Sequence, residues 1–165
     1  MPFTPFHFGP SACLALPLQR RLDLPTFLLV NVAVDLEPLL VMSFDLPLRL
    51  HGPAHTLLGA TLIGMVSGAV LFRCRRPLQQ MMTGLLPLPY APTLRGMVLT
   101  GILGACFHIL LDAPLYVDIT PFAPFSDANP LLGVIDGGIM YTLTALSYIP
   151  ALLLYLWVRL SAARR

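Results

Sequence analysis

Long charge-free runs alternate along this chain with short links that carry the arginines. Residues 54–72 hold 19 positions without a formal charge; at about 1.5 Å per residue they make roughly 28 Å of helix, close to the thickness of a bilayer's hydrocarbon layer. Residues 139–158 form a second such run, and residues 96–111 a third, interrupted only by His108. Residues 8–18 are a shorter apolar segment that ends in Gln19-Arg20-Arg21. Asp23 and Pro25 mark a helix start, an acid followed by a proline in the first turn. That helix is predicted over 25–44, interrupted by Pro38, which removes a backbone hydrogen bond and is expected to kink it just after Asp35 and Glu37. A polar link over 45–52 leads to Pro53, which is placed to open a helix over 54–72, closed by Arg73, Arg75 and Arg76. A loop rich in proline follows (Pro77, Pro87, Pro89, Pro92), then a helix over 94–115 that ends near Pro114. Residues 117–133 are irregular, with Pro121, Pro124 and Pro130, and the last helix spans 134–160 with a bend at Pro150. The predicted class is all-α: one domain over 1–165, a polytopic membrane bundle of about four transmembrane or embedded helices.

Composition supports the membrane reading. The chain is 56% hydrophobic and 11% charged, and its mean hydropathy is +0.78, outside the range of soluble domains. The net charge of +2 comes from ten arginines against eight acids, with no lysine, and no basic run interleaved with aromatics points to nucleic acid. The arginines report topology instead. Arg20 and Arg21, then Arg73, Arg75, Arg76 and Arg95, then Arg159, Arg164 and Arg165 mark three inside positions, so the C-terminus is expected on the cytoplasmic side of an inner membrane. The alternate links, 45–53 and 117–133, carry Arg49 alone. The N-terminus has no basic region ahead of its apolar stretch and is broken by Pro2, Pro5 and Pro10, so it is expected to belong to the mature fold rather than to a signal peptide. Cys13, Cys74 and Cys106 lack paired spacing and are expected as small apolar side chains, neither disulfides nor thiolate ligands.

Against this background the histidines and intramembrane acids stand out, because such groups are costly to bury unless paired, ligated or in use. The predicted topology brings them to similar depth. His7 precedes the first segment on the outer side, and His51 and His55 lie at the outer start of the 54–72 helix. His108 is about 12 residues beyond Gly96, roughly 18 Å from the inner face, and Asp112 is one turn further out. Asp35 lies near mid-depth. His108 and Asp112, at i and i+4, share one helix face and can present two ligands to one ion, or form a His–Asp bond between packed helices. His51 and His55 flank Gly52-Pro53-Ala54, as ligands or as an interfacial pair near headgroups. Asp35 and Glu37 point about 200° apart on a helix, so only one faces a common site unless Pro38 distorts the turn. Asp35 is the favoured ligand. Glu37 is left as a second ligand, a general base on a metal-associated water, or a partner for Arg49. His7 is the weakest candidate, since a residue near a chain start is often exposed. Asp118, Asp127 and Asp136 are loop or helix-end acids, with Asp136 near the start of the last helix and Asp118 the alternative to Glu37 as proton acceptor. The expected metal set is His7, Asp35, His51, His55, His108 and Asp112, with Glu37 catalytic. It requires the side chains at 35, 55, 108 and 112 to meet.

Three segments carry a family resemblance: Asn31-Val-Ala-Val-Asp35-Leu-Glu37-Pro38, His51-Gly-Pro-Ala-His55-Thr56, and Gly104-Ala-Cys-Phe-His108-Ile-Leu-Leu-Asp112 followed by Thr120-Pro-Phe. In this order they resemble the YdjM-like family of inner-membrane metal-dependent hydrolases, whose members carry a D-x-D-H segment, an H-R-G-x-T-H-S segment and a late H-x-x-x-D helix followed by a P-F loop. Here Glu37 stands for the second Asp, Pro38 for the motif His and Thr56 for Ser, and the two histidines are one residue closer. The resemblance implies a metal at Asp35, His51, His55, His108 and Asp112 and hydrolysis of an ester or phosphoester. The expected position of the site near the outer interface would admit lipids or other amphipathic substrates. Imidazole and carboxylate donors suit zinc best, then manganese or iron. A non-catalytic metal-binding membrane protein and a small transporter are the rival readings. Substrate and oligomeric state stay open.

Overall fold

A computed structural model describes residues 5–88 and 90–163. Met1–Thr4, Pro89 and two of the expected C-terminal topology markers, Arg164 and Arg165, lie outside the described residues. Among the described residues the fold is all-helical, in the order α1 (Pro5–Ala15), α2 (Leu24–Ser43), a 3-10 turn (Pro53–His55), α3 (Leu57–Arg73), α4 (Arg75–Gly84), α5 (Leu94–Asp112), α6 (Gly137–Leu146) and α7 (Tyr148–Ala163). Three helical stretches are long and apolar enough to cross a membrane: Leu24–Ser43, Leu94–Asp112 and Gly137–Ala162. A fourth results if α3 and α4, bent by 77°, count as one broken span. At 11 residues α1 reaches only about 16 Å and is too short to cross.

The α2 start follows the predicted signals: Asp23 accepts a hydrogen bond from Thr26 N at 3.0 Å, with Pro25 in the first turn. The Asp23 backbone N–H also donates to Thr100 Oγ1 at 3.0 Å, which fixes the start of α2 against α5. The helix continues through Pro38.

The helix expected from residue 54 begins later. Thr56 Oγ1 accepts from Gly59 N at 2.9 Å and donates to Pro53 O at 2.9 Å, so Thr56 is the cap and residues 53–55 are left in a tighter turn. That turn carries His55 into the interior, where it is fully buried. The proline-rich stretch is also not all loop. Pro77 sits in the first turn of α4, where its missing N–H would have no intrahelical partner. The last helix breaks at Ser147 rather than at Pro150. Pro150 has no N–H for the Leu146 carbonyl, so the chain opens one turn earlier.

The tightest contact is between α3 and α5. A Cβ added at Gly64 would run into the Gly101 carbonyl, one at Gly101 into the Gly64 carbonyl, and one at Gly68 into the Met97 carbonyl. Small residues in facing positions let helix backbones touch where side chains would hold them apart. This approach sets the N-terminal end of α3 beside the C-terminal end of α5, near Asp35 on α2. Buried Val30, Val34, Ala60, Ala105 and Ile109 fill the space between the three helices. The loop after α5 closes the same end: Leu57 N donates to Pro121 O at 2.8 Å and Asn129 Nδ2 donates to Ala113 O at 2.8 Å. Away from this core, α3, α5 and α7 expose large apolar side chains, among them Leu62, Val66, Leu103, Leu153 and Trp157.

Candidate metal centre

At this closed end Asp35, His55, His108 and Asp112 each offer one ligand atom, and these four atoms lie within 4.8 Å of one another. All four residues are buried, with Asp35 at 4% exposure, Asp112 at 2%, and both histidines at 0%. They arrive on three elements: Asp35 from the middle of α2, His55 from the 3-10 turn, and His108 and Asp112 one turn apart at the end of α5.

The hydrogen bonds around the cluster show which atoms face inward. The Asn31 amide donates to Phe27 O at 2.8 Å and to Ser11 Oγ at 3.2 Å, which turns its Oδ1 toward His108. His108 Nδ1 donates to that oxygen at 3.3 Å. His55 Nδ1 donates to Glu37 Oε2 at 3.1 Å, and Glu37 also accepts from Gly52 N at 2.9 Å and Ala54 N at 3.2 Å. With Nδ1 as the donor in both rings, Nε2 is the lone-pair nitrogen. Both Nε2 atoms are buried without a hydrogen bond. His108 Nε2 lies 3.4 Å from Asp35 Oδ1 and 3.3 Å from Asp112 Oδ2, close contacts that lack hydrogen-bond geometry. Acceptors gathered this closely around one point repel one another unless a cation or protons lie between them.

The residues present therefore fit a divalent cation. Two imidazole nitrogens and two carboxylates suit a first-row metal, and their two negative charges cancel the charge of the ion in an apolar interior. The outer partners Glu37 and Asn31 hold the ring orientation and tautomer that ligation requires. The C-terminal end of α5, where Asp112 sits, carries the negative pole of the helix dipole and also favours a cation.

The remaining candidates border the cluster. His7 is 1% exposed, its Nε2 bonded to Asp112 Oδ1 at 3.1 Å and its ring stacked on His108 at 4.1 Å. His51 packs its ring 4.7 Å from His55. Its Nδ1 donates to Asp118 Oδ1 at 2.9 Å and its backbone N–H to Asp118 Oδ2 at 3.1 Å, while its Nε2 is buried and unpartnered. Burial holds His51 below its ordinary pKa, against the pull of Asp118. Burial would raise the Asp118 carboxyl, but the bonds from His51 outweigh it and keep Asp118 below the usual carboxylate range. His51 is thus a neutral imidazole anchored by a carboxylate, with a free nitrogen beside the cluster.

Glu37, the expected catalytic residue, sits behind His55 with both oxygens engaged. Asp127 and Asp136 are exposed, and Asp136 caps α6 through Ile139 N. Asn31 is a contributor that the sequence reading does not single out; it lies four residues before Asp35, a polar residue on the same face of an apolar helix, and that spacing is its signal. Asp118, an expected alternative proton acceptor, instead holds His51, a pairing that only the folded loop creates.

Compared with protein-family models, curated proteins and solved structures, the chain matches none.

Proposed function

We propose that this chain is a membrane-embedded, zinc-dependent hydrolase acting on an ester or phosphoester. One observation carries the reading: four buried donor atoms converge within 4.8 Å, and the two imidazoles among them are turned inward by carboxylate and amide partners. Asp35, His55, His108 and Asp112 hold the ion, and His7 steadies Asp112. When bound, such an ion supplies Lewis-acid chemistry, polarising an ester or phosphoryl oxygen and acidifying water. His51 Nε2 is the proton acceptor beside it, and Asp118 fixes its tautomer and carries the charge that develops on the ring. Glu37 positions His55. The apolar exteriors of α2, α5 and α6–α7 and the arginine placement support an inner-membrane location with the centre in the outer half of the bilayer and the C-terminus cytoplasmic. The resemblance to YdjM-like hydrolases supports the reaction class.

A second reading has its own support, since four protein donors would complete a tetrahedral zinc, as in structural sites. The unpartnered His51 nitrogen next to the cluster favours a reaction. The test is turnover of a chromogenic phosphodiester and a chromogenic carboxylic ester by detergent-purified protein. Chelation should abolish turnover, zinc should restore it, and Asp35→Asn and His51→Gln should each remove it. Turnover that ignores both chelator and Asp35→Asn refutes the hydrolase reading. Metal binding without turnover of either substrate class selects the structural one.

A further inference from the structure

Beside His51 a groove of about 390 Å³ opens between the 45–52 link, the start of α3 and the loop after α5. Its lining includes His51, whose ring packs 4.7 Å from His55 of the cluster, together with Leu58 and Leu62 of α3 and Ala123 of the loop. Two opposite charges also line it, Arg49 from the link and Asp127 from the loop. Both are exposed, and neither forms an ion pair with a described residue. Arg49 is the lone arginine of the two links expected outside.

The apolar wall continues beyond the groove. Leu58, Leu62, Val66 and Val70 follow one another at four-residue spacing along α3, and all are exposed, at 48%, 54%, 62% and 56%. Residues so spaced form a stripe on one helix face, here about 18 Å long at 1.5 Å per residue. It runs toward the arginine-bearing end of α3 and covers more than half of a hydrocarbon layer of roughly 30 Å. A chain lying on it would extend through one leaflet.

An exposed cation and an exposed anion lining the groove, an apolar stripe leading away from it and the donor cluster behind His51 together describe one ligand. We propose that the groove binds a zwitterionic phospholipid, its phosphate against Arg49, its amine against Asp127 and one acyl chain along Leu58 and Leu62, and that this is the substrate class of the centre. The proposal rests on the hydrolase reading for the word substrate; the binding site stands on the groove alone.

The test is native mass spectrometry of the detergent-solubilised, zinc-loaded protein titrated with phosphatidylethanolamine, phosphatidylglycerol and diacylglycerol, with zinc content read on the same samples. Phosphatidylethanolamine should bind tightest and diacylglycerol weakest. Arg49→Gln should weaken both phospholipids about threefold to fivefold, as for a partly exposed ion pair. Asp127→Asn should weaken phosphatidylethanolamine alone, and Ala123→Trp, which fills the groove, should weaken all three. Zinc content should stay at the wild-type level throughout. Equal binding of the three lipids, or Arg49→Gln and Asp127→Asn without effect, overturns the proposal. Lipid preference without zinc would sink the metal centre and leave the groove standing; zinc without lipid preference would do the reverse.

Discussion

Replacing Glu37 by Gln separates a positioning role from a catalytic one. Three donors converge on the two carboxylate oxygens: Gly52 N at 2.9 Å, Ala54 N at 3.2 Å and His55 Nδ1 at 3.1 Å. A glutamine offers one oxygen and one NH2 group. If its oxygen serves Gly52 and His55, the NH2 faces the Ala54 N–H. In the other orientation the NH2 faces both Gly52 and His55, and His55 must shift its proton to Nε2, the nitrogen that would ligate. Either way a half-buried donor loses its acceptor or the ring takes the wrong tautomer, a cost of about 1–3 kcal/mol. That corresponds to roughly a tenfold to hundredfold loss of zinc affinity, the usual effect of removing an outer partner. Competition against a chromophoric chelator in detergent measures it directly. Turnover of the variant at saturating zinc should approach that of the wild type. Wild-type zinc affinity with lost turnover would refute the positioning role and make Glu37 the proton acceptor.

Gly64→Leu should push α3 from α5, since a Cβ there already meets the Gly101 carbonyl; a thermal melt should show a loss of about 1–3 kcal/mol, and zinc content should fall with it. Asn31→Leu removes the acceptor of His108 Nδ1 and should lower zinc affinity about tenfold in the same competition assay, with helix content unchanged by circular dichroism. Acid should destabilise the metal-free protein in two stages. Burial holds His51 below its ordinary value near 6.5, so the unfolded chain binds the proton first and stability falls as pH drops below that value toward the folded one. Asp118, held below the usual carboxylate range, contributes stability that is present above about 4 and lost as pH falls through its folded value. Melts from pH 7 to pH 3 check this, and Asp118→Asn should flatten the lower stage.

Much of this arrangement is legible in the sequence because apolar runs have a length and polar residues inside them have a spacing. The runs locate α2, α5 and the α6–α7 stretch. The i, i+4 interval places His108 and Asp112 on one face, and the two-residue offset between Asp35 and Glu37 sends one into the cluster and the other behind His55. The rest depends on contacts that periodicity does not carry. Thr56 takes the cap from Pro53 because its hydroxyl reaches both Gly59 N and Pro53 O. Pro77 is as compatible with a first helical turn as with a loop, so α4 was hidden. The tie between Asp118 and His51 spans 67 positions, and it exists only once the loop after α5 has docked on α3.

Zinc stoichiometry of the detergent-purified protein, measured beside His108→Ala and Asp112→Ala, tests the centre most directly. The expected result is one zinc per wild-type chain and strong depletion in both variants, with all three proteins equally helical. A wild-type chain that carries no transition metal after zinc loading, or variants that keep the full complement, would contradict the convergence of Asp35, His55, His108 and Asp112 on a single ion.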